Sequence, residues 1–159
     1  MPNVTRWLQF FDKRRIRYSH SQHTRTATAR GAADSERMPA HELAKTVVYF
    51  GSSGFGIVVV PADKMADLAK VGRLTGLSHI RLATEKELEG LFPNCEVGAM
   101  PPFGEKFDMP VLVDAGIVDE FIAFTLGTHR DVFRISFADF QRLAHPKIAA
   151  IATEHLAYA

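Results

Sequence analysis

With 159 residues, 47% of them hydrophobic and 23% charged, the chain has the size and balance of one soluble globular domain, which sets aside disordered, collagen-like and membrane-spanning classes. A formal net charge of +1 is not that of a protein built to coat DNA, because long phosphate tracks demand many lysines and arginines. The single cysteine, Cys95, leaves no internal disulfide, and residues 1–15 mix charges with aromatics in place of an apolar leader, so a reducing cytoplasm is the expected setting.

Residues 3 to 14 read as an amphipathic helix, with Asn3 as cap and Val4, Trp7, Leu8 and Phe11 recurring at the helical period. A short strand over Ile16 to His20 follows, then a polar stretch from Ser21 to Pro39 with a helix of one or two turns after Thr28. Thr46 to Phe50 and Phe55 to Val60 are β-branched and aromatic runs joined by Gly51-Ser-Ser-Gly54, which predicts a hairpin. Ala66 to Leu74 reads as a helix ending at Gly76, His79 to Leu82 as a short strand, and Thr84 with Glu87 as a capping box that opens a helix to Leu91. Val97 to Pro110 is too rich in glycine and proline for helix or central strand and reads as loop. Val111 to Asp114, Glu120 to Thr125 and Asp131 to Ile135 read as strands, and Ser136 with Asp139 caps a closing helix through Leu143. Strands and helices mix without strict alternation, so the expected class is α+β, a single domain over residues 1–159 with a central mixed β-sheet flanked by helices.

Most constellations that suggest chemistry have a plainer reading. The glycines of Gly51-Ser-Ser-Gly-Phe-Gly56 lack the spacing and the following helix of a phosphate cradle, so they read as a turn. His20 and His23 have no carboxylate or cysteine near them to complete a zinc set. Cys95 lies beside Glu96, whose charge raises a thiol pKa, and no G-x-S-x-G elbow is present. Lys13, Arg14, Arg15 and Arg17, followed by Arg25, Arg30 and Arg37, form either a contact for a few phosphates or a solvated helix end and loop. Two features remain open. Lys45 enters an apolar strand, where it is partly desolvated if its neighbours pack, or snorkels from a sheet edge. Gly98-Ala-Met-Pro-Pro102-Phe103-Gly104 is stiffened by prolines and opened by glycines, which suits either a preorganised site lined by main-chain groups or a rigid surface crossover.

The ordered set Glu42-Leu-Ala-Lys45-Thr-Val-Val, Val58-Val-Val-Pro61-Ala-Asp63, Arg81-Leu-Ala-Thr84, Val97-Gly98-Ala-Met-Pro-Pro102-Phe-Gly104, Pro110-Val-Leu-Val-Asp114 and Gly127-Thr-His129-Arg resembles the YbaK/prolyl-tRNA synthetase-associated domain family over about residues 23–145. That family comprises free-standing and synthetase-attached editing domains that hydrolyse the ester joining a mismatched amino acid to tRNA. The resemblance implies an aminoacyl-tRNA deacylase acting in trans, without metal or other cofactor. Its partners would be the acceptor end of aminoacyl-tRNA, alone or together with an aminoacyl-tRNA synthetase; neither DNA nor membrane is implied. A non-catalytic module binding the acceptor end or docking on a synthetase is the alternative.

By the same resemblance, Lys45 matches the signature lysine and Gly98 to Pro102 the G-x-x-x-P loop. Lys45, Gly98 and Pro102 are then the catalytic positions. Thr46, Ala99, Met100, Pro101, Phe103, Gly104, Gly127 and His129 line the substrate. His129 matches a histidine of some alanine-clearing members, in which asparagine commonly follows the lysine; this chain has Thr46 there. The resemblance further implies that the 2′-hydroxyl of the terminal adenosine helps to activate or position water, which fits a chain with no convincing carboxylate pair or triad.

Overall fold

Val4, Trp7, Leu8 and Phe11 share one side of a 3.6-residue repeat, and in the computed structural model that side of helix α1 (Val4–Lys13) packs on the core, with Trp7 and Phe11 fully buried. The structure describes residues 4–22, 38–52, 54–103 and 109–154. The expected cap Asn3, the expected helix after Thr28, His23, Arg25, Arg30, Arg37 and Gly104 lie outside them. Among the described residues, no helix is long and apolar enough to cross a membrane.

Strand β1 runs over Tyr18–Gln22, later than the sequence pattern suggests. Arg15 turns the chain at φ 55°, and the Ile16 amide donates back to the Phe11 carbonyl, so Ile16 plugs the end of α1. Pairing with β8 then sets the strand two residues further on. The hairpin expected around Gly51-Ser-Ser-Gly54 is present as β2 (Leu43–Gly51) and β3 (Gly54–Pro61). β2 starts three residues early because Leu43 and Ala44 also pair with β7.

Strand β4 (Lys64–Ala66) takes the expected start of the next helix, and α2 begins instead at Leu68 and runs to Thr75. The Asp67 carboxylate caps it by accepting from the Ala69 and Lys70 amides, and Gly76 ends it at φ 74°. After β5 (Arg81–Leu82), the Thr84–Glu87 capping box opens α3 (Glu85–Leu91) as its spacing requires. Strands β6 (Val111–Asp114), β7 (Phe121–Leu126) and β8 (Thr128–Ser136) follow. Ser136 caps α4 (Phe137–Ala144). Two short strands, β9 (Lys147–Ala149) and β10 (Ala152–Glu154), follow, and no local pattern in the sequence marks them.

The strands form a mixed sheet in the order β1-β8-β7-β2-β3-β6-β9, with β5 on β2, while β4 and β10 make a separate ribbon. The ladders β2–β7, β3–β6 and β6–β9 are parallel and the others antiparallel. The class is therefore α+β, as expected. Alternation along β2 sends Ala44 and Val48 into the main core beneath α1, and Leu43, Val47 and Tyr49 into the packing of the opposite side. The ladder between β2 and β7 stops at Ala44 and Phe124, and β5 meets the same edge of β2 only at Tyr49. Residues 45–47 thus flank an opening in the sheet.

Candidate functional site

Pro101 and Pro102 deny the segment 97–103 both helix and ladder bonding, and it is neither helix nor strand. From Ala99 to Phe103 it is nonetheless interior, while Gly98 is exposed. Ala99, Met100 and Phe103 are 0%, 4% and 6% exposed, and the two prolines are buried with them. A surface crossover does not bury its side chains in this way. Phe103 anchors the segment: its ring stacks on Phe10 at 5.3 Å and meets Trp7, Phe11 and Phe124 edge-on. Helix α1 therefore clamps the loop, a relation that no local pattern announces.

The other end of the loop is laced to the turn between β7 and β8. The Glu96 amide donates to the Gly127 carbonyl at 2.8 Å and the Gly127 amide to the Ala99 carbonyl at 2.9 Å. The Glu96 carboxylate accepts from the His129 amide at 2.8 Å. His129 is buried, and its Nε2 donates to the Val97 carbonyl at 2.6 Å. A carbonyl only accepts, so that contact puts the ring proton on Nε2 and leaves Nδ1 with the lone pair in the neutral ring. Gly98, at φ 95°, passes directly beneath this ring. Gly127, at φ 84°, faces Trp7, where a Cβ would stand 3.1 Å from the indole. The two glycines are used for different reasons, one for close approach to an imidazole and one for close approach to the clamp helix.

The structure thus brings Gly98, Ala99, Met100, Gly127 and His129 into one junction. Few of its amides are unspent: Ala99 donates to the Glu96 carbonyl, and the prolines have no N–H. The Gly98 amide donates to the Met100 sulfur at 3.0 Å, a weak acceptor that a ligand oxygen readily outcompetes.

Lys45 sits apart from that junction. It lies on the Leu43–Val47 side of β2, and its Nζ donates to the Lys64 carbonyl at 2.5 Å. Burial pushes the ammonium pKa down, opposed by the negative charge of Asp63. One oxygen of Asp63 is buried with no hydrogen-bond partner among the described residues. Thr46, also buried, belongs by alternation to the Ala44–Val48 side, which the loop packs. Lys45 and the loop therefore lie on opposite faces of β2, at the stretch where its ladder with β7 has ended.

A second polar cluster lay outside the reading of the sequence. Asp131, 3% exposed, accepts from His20 Nε2 at 2.7 Å, from Gln22 at 2.9 Å and from the Thr128 hydroxyl. Burial alone raises a carboxyl pKa, but these donors outweigh it and hold Asp131 below its ordinary value. The cluster pins Thr128, the residue between Gly127 and His129. Only the pairing of β1 with β8 brings His20 to Asp131 across the chain. Cys95 packs half-buried against the main core, and no three His, Cys, Asp or Glu residues come together as a metal set among the described residues.

Comparison with known proteins bears on family and fold. The sequence profile of the aminoacyl-tRNA editing domain matches residues 23–143. A proline–tRNA ligase of Bacillus cytotoxicus is 34% identical over 73 residues, 46% of this chain and 13% of that protein. One of Bacillus mycoides is 30% identical over 78 residues, 49% of this chain and 14% of that protein. The chain thus matches only a small part of these ligases. Among solved structures, a candidate trans-editing enzyme for prolyl tRNA synthetase superposes with a TM-score of 0.82 at 23% identity, covering 96% of this chain and 99% of that one. A scaffold used for computational epitope grafting superposes at 0.81 with 22% identity, covering 98% and 100%. At these identities the likeness speaks for the fold.

Proposed function

Because the chain belongs to the aminoacyl-tRNA editing domain family, we propose that it hydrolyses the ester joining a mismatched amino acid to the terminal adenosine of tRNA, acting in trans. The observation that carries this reading is the fixed junction in which a left-handed Gly98 lies against the buried His129 ring, with a partly desolvated lysine on strand β2.

Water adds to the ester carbonyl carbon, and the carbonyl oxygen becomes an oxyanion. The Gly98 amide, now on a thioether, turns to that oxygen. Collapse breaks the bond to the ribose oxygen, which takes up a proton, and the amino acid leaves as the free acid. The adenosine 2′-hydroxyl, held by the ribose next to the ester, orients the water, so the substrate supplies the group that the junction lacks. His129 Nδ1, which carries the lone pair in the neutral ring, stands beside Gly98 as a protein acceptor. Lys45 contributes positive charge for the terminal phosphate or the ester.

A deacylation screen across tRNAs charged with different amino acids tests the reading, run beside the free aminoacyl esters. Release from charged tRNA well above release from the free esters is the expected result. Binding without release makes the chain a non-catalytic acceptor-end module, and equal release from both makes it a general ester hydrolase.

A further inference from the structure

The basic run at the end of α1 gains a member that the sequence keeps far away. Strand β1 lies antiparallel to β8 with Ser19 opposite Arg134. Arg15, Arg17 and Arg134 therefore converge on one groove of about 510 Å³, together with Ser19, Ser136 and Phe121. All three arginines are exposed, and none forms an ion pair among the described residues. Arg14, by contrast, folds back over the Phe10 ring and the Phe10 carbonyl, so it is spent on α1. The Asp139 carboxylate at the groove's edge is paired with Arg142.

The groove is built rather than incidental. Successive amide-to-carbonyl bonds, Arg14 to Phe11, Arg15 to Asp12 and Ile16 to Phe11, fix the turn that carries Arg15. Arg134 lies 4.5 Å from the centroid of Phe121, which is 42% exposed, so a planar cation and an aromatic face stand together beside the other two charges. Phosphates satisfy exposed guanidiniums, and an unpaired base stacks on such a face. Arg134 pairs with Ala123, and Ala123 with Leu43, so Arg134 and Lys45 share one side of the sheet. Two strand spacings and two residues separate them, about 12 Å in an ideal sheet. That is the reach of two or three nucleotides.

We propose that this groove holds the phosphate backbone of the tRNA acceptor arm, a few nucleotides upstream of the terminal adenosine. The identity of the RNA rests on the function proposed above. Binding of deacylated tRNA, measured against salt, tests the groove directly. Arg17→Ala combined with Arg134→Ala weakens binding by roughly tenfold or more and flattens the salt slope by about two. The same pair lowers kcat/KM on charged tRNA by roughly tenfold more than on 3′-aminoacyl-adenosine, which is too short to reach the groove. Arg134→Lys keeps the charge but loses the planar stack, and recovers the salt slope with only part of the affinity. Wild-type tRNA affinity and salt slope in the double variant overturn the proposal, as does an equal loss on the short ester. If the wild-type protein releases no amino acid from any charged tRNA while the double variant still loses tRNA binding, the hydrolase reading falls and the groove stands.

Discussion

The edge of the His129 ring lies so close over Gly98 that a Cβ at position 98 would stand 2.7 Å from Cε1. Gly98 is also at φ 95°, a region that side-chain-bearing residues rarely adopt. Two constraints, one steric and one torsional, meet at a single residue of the loop.

Gly98→Ala is therefore expected to cost about 1–3 kcal/mol of stability and to cut deacylation further than the loss of folded protein explains. Denaturant unfolding and turnover per folded molecule separate the two. Adding His129→Ala removes the ring contact and restores part of the stability but not the activity. If the two substitutions merely add in stability, the ring contact is not what excludes a side chain.

Lys45→Met is expected to reduce the deacylation rate by about a hundredfold, the usual scale for deleting a preorganised electrostatic donor. Stability responds in the other direction. The folded pKa of Lys45 lies below its unfolded value near 10.5, so the unfolded chain binds that proton more tightly. The protonated lysine weakens the fold at neutral pH, and the penalty disappears as pH rises through the folded value towards 10.5. Methionine removes it at every pH. A fall in melting temperature for Lys45→Met at pH 7 contradicts the desolvation argument.

Asp131→Asn replaces a buried acceptor of three hydrogen bonds with a group that turns a donor towards donors, at a cost of about 1–3 kcal/mol at pH 7. Asp131 is held below its unfolded value of 3.8, so its contribution is present above that pH and is lost as pH falls through the folded value. Unfolding curves of wild type and variant should therefore converge below pH 3.8 and separate above it. Because Asp131 pins Thr128 beside His129, the variant should also lose turnover. Stability curves that stay parallel down to acid pH remove Asp131 from the account.

Replacing the terminal adenosine of a charged tRNA by its 2′-deoxy form is expected to slow single-turnover hydrolysis strongly while changing affinity little. In the proposed mechanism the hydroxyl orients water, whereas binding would rest on phosphates and the adenosine. Equal rates for the two substrates transfer the role to a protein base, with His129 Nδ1 the first to be tested by substitution.

What the sequence determined by itself was whatever is settled within a few residues. The Thr84–Glu87 box, the Ser136 cap, the Gly76 stop and the β2–β3 hairpin form from adjacent groups, so spacing and residue type suffice to read them. Lys45, Gly98 and His129 could be singled out by resemblance, but their arrangement could not. Tertiary structure decided the rest. Strands β4, β9 and β10 have three residues each, too few to carry a period, and exist because partners distant in sequence complete their ladders. The Asp114 carboxylate, which accepts from the Ile151 and Ala152 amides, ties down that last segment. The burial of Phe103 under α1, the bond from His129 to Val97 and the meeting of Arg17 with Arg134 all join residues dozens of positions apart. Such contacts depend on sheet order and strand register, which the whole set of packed faces fixes together and no local pattern encodes.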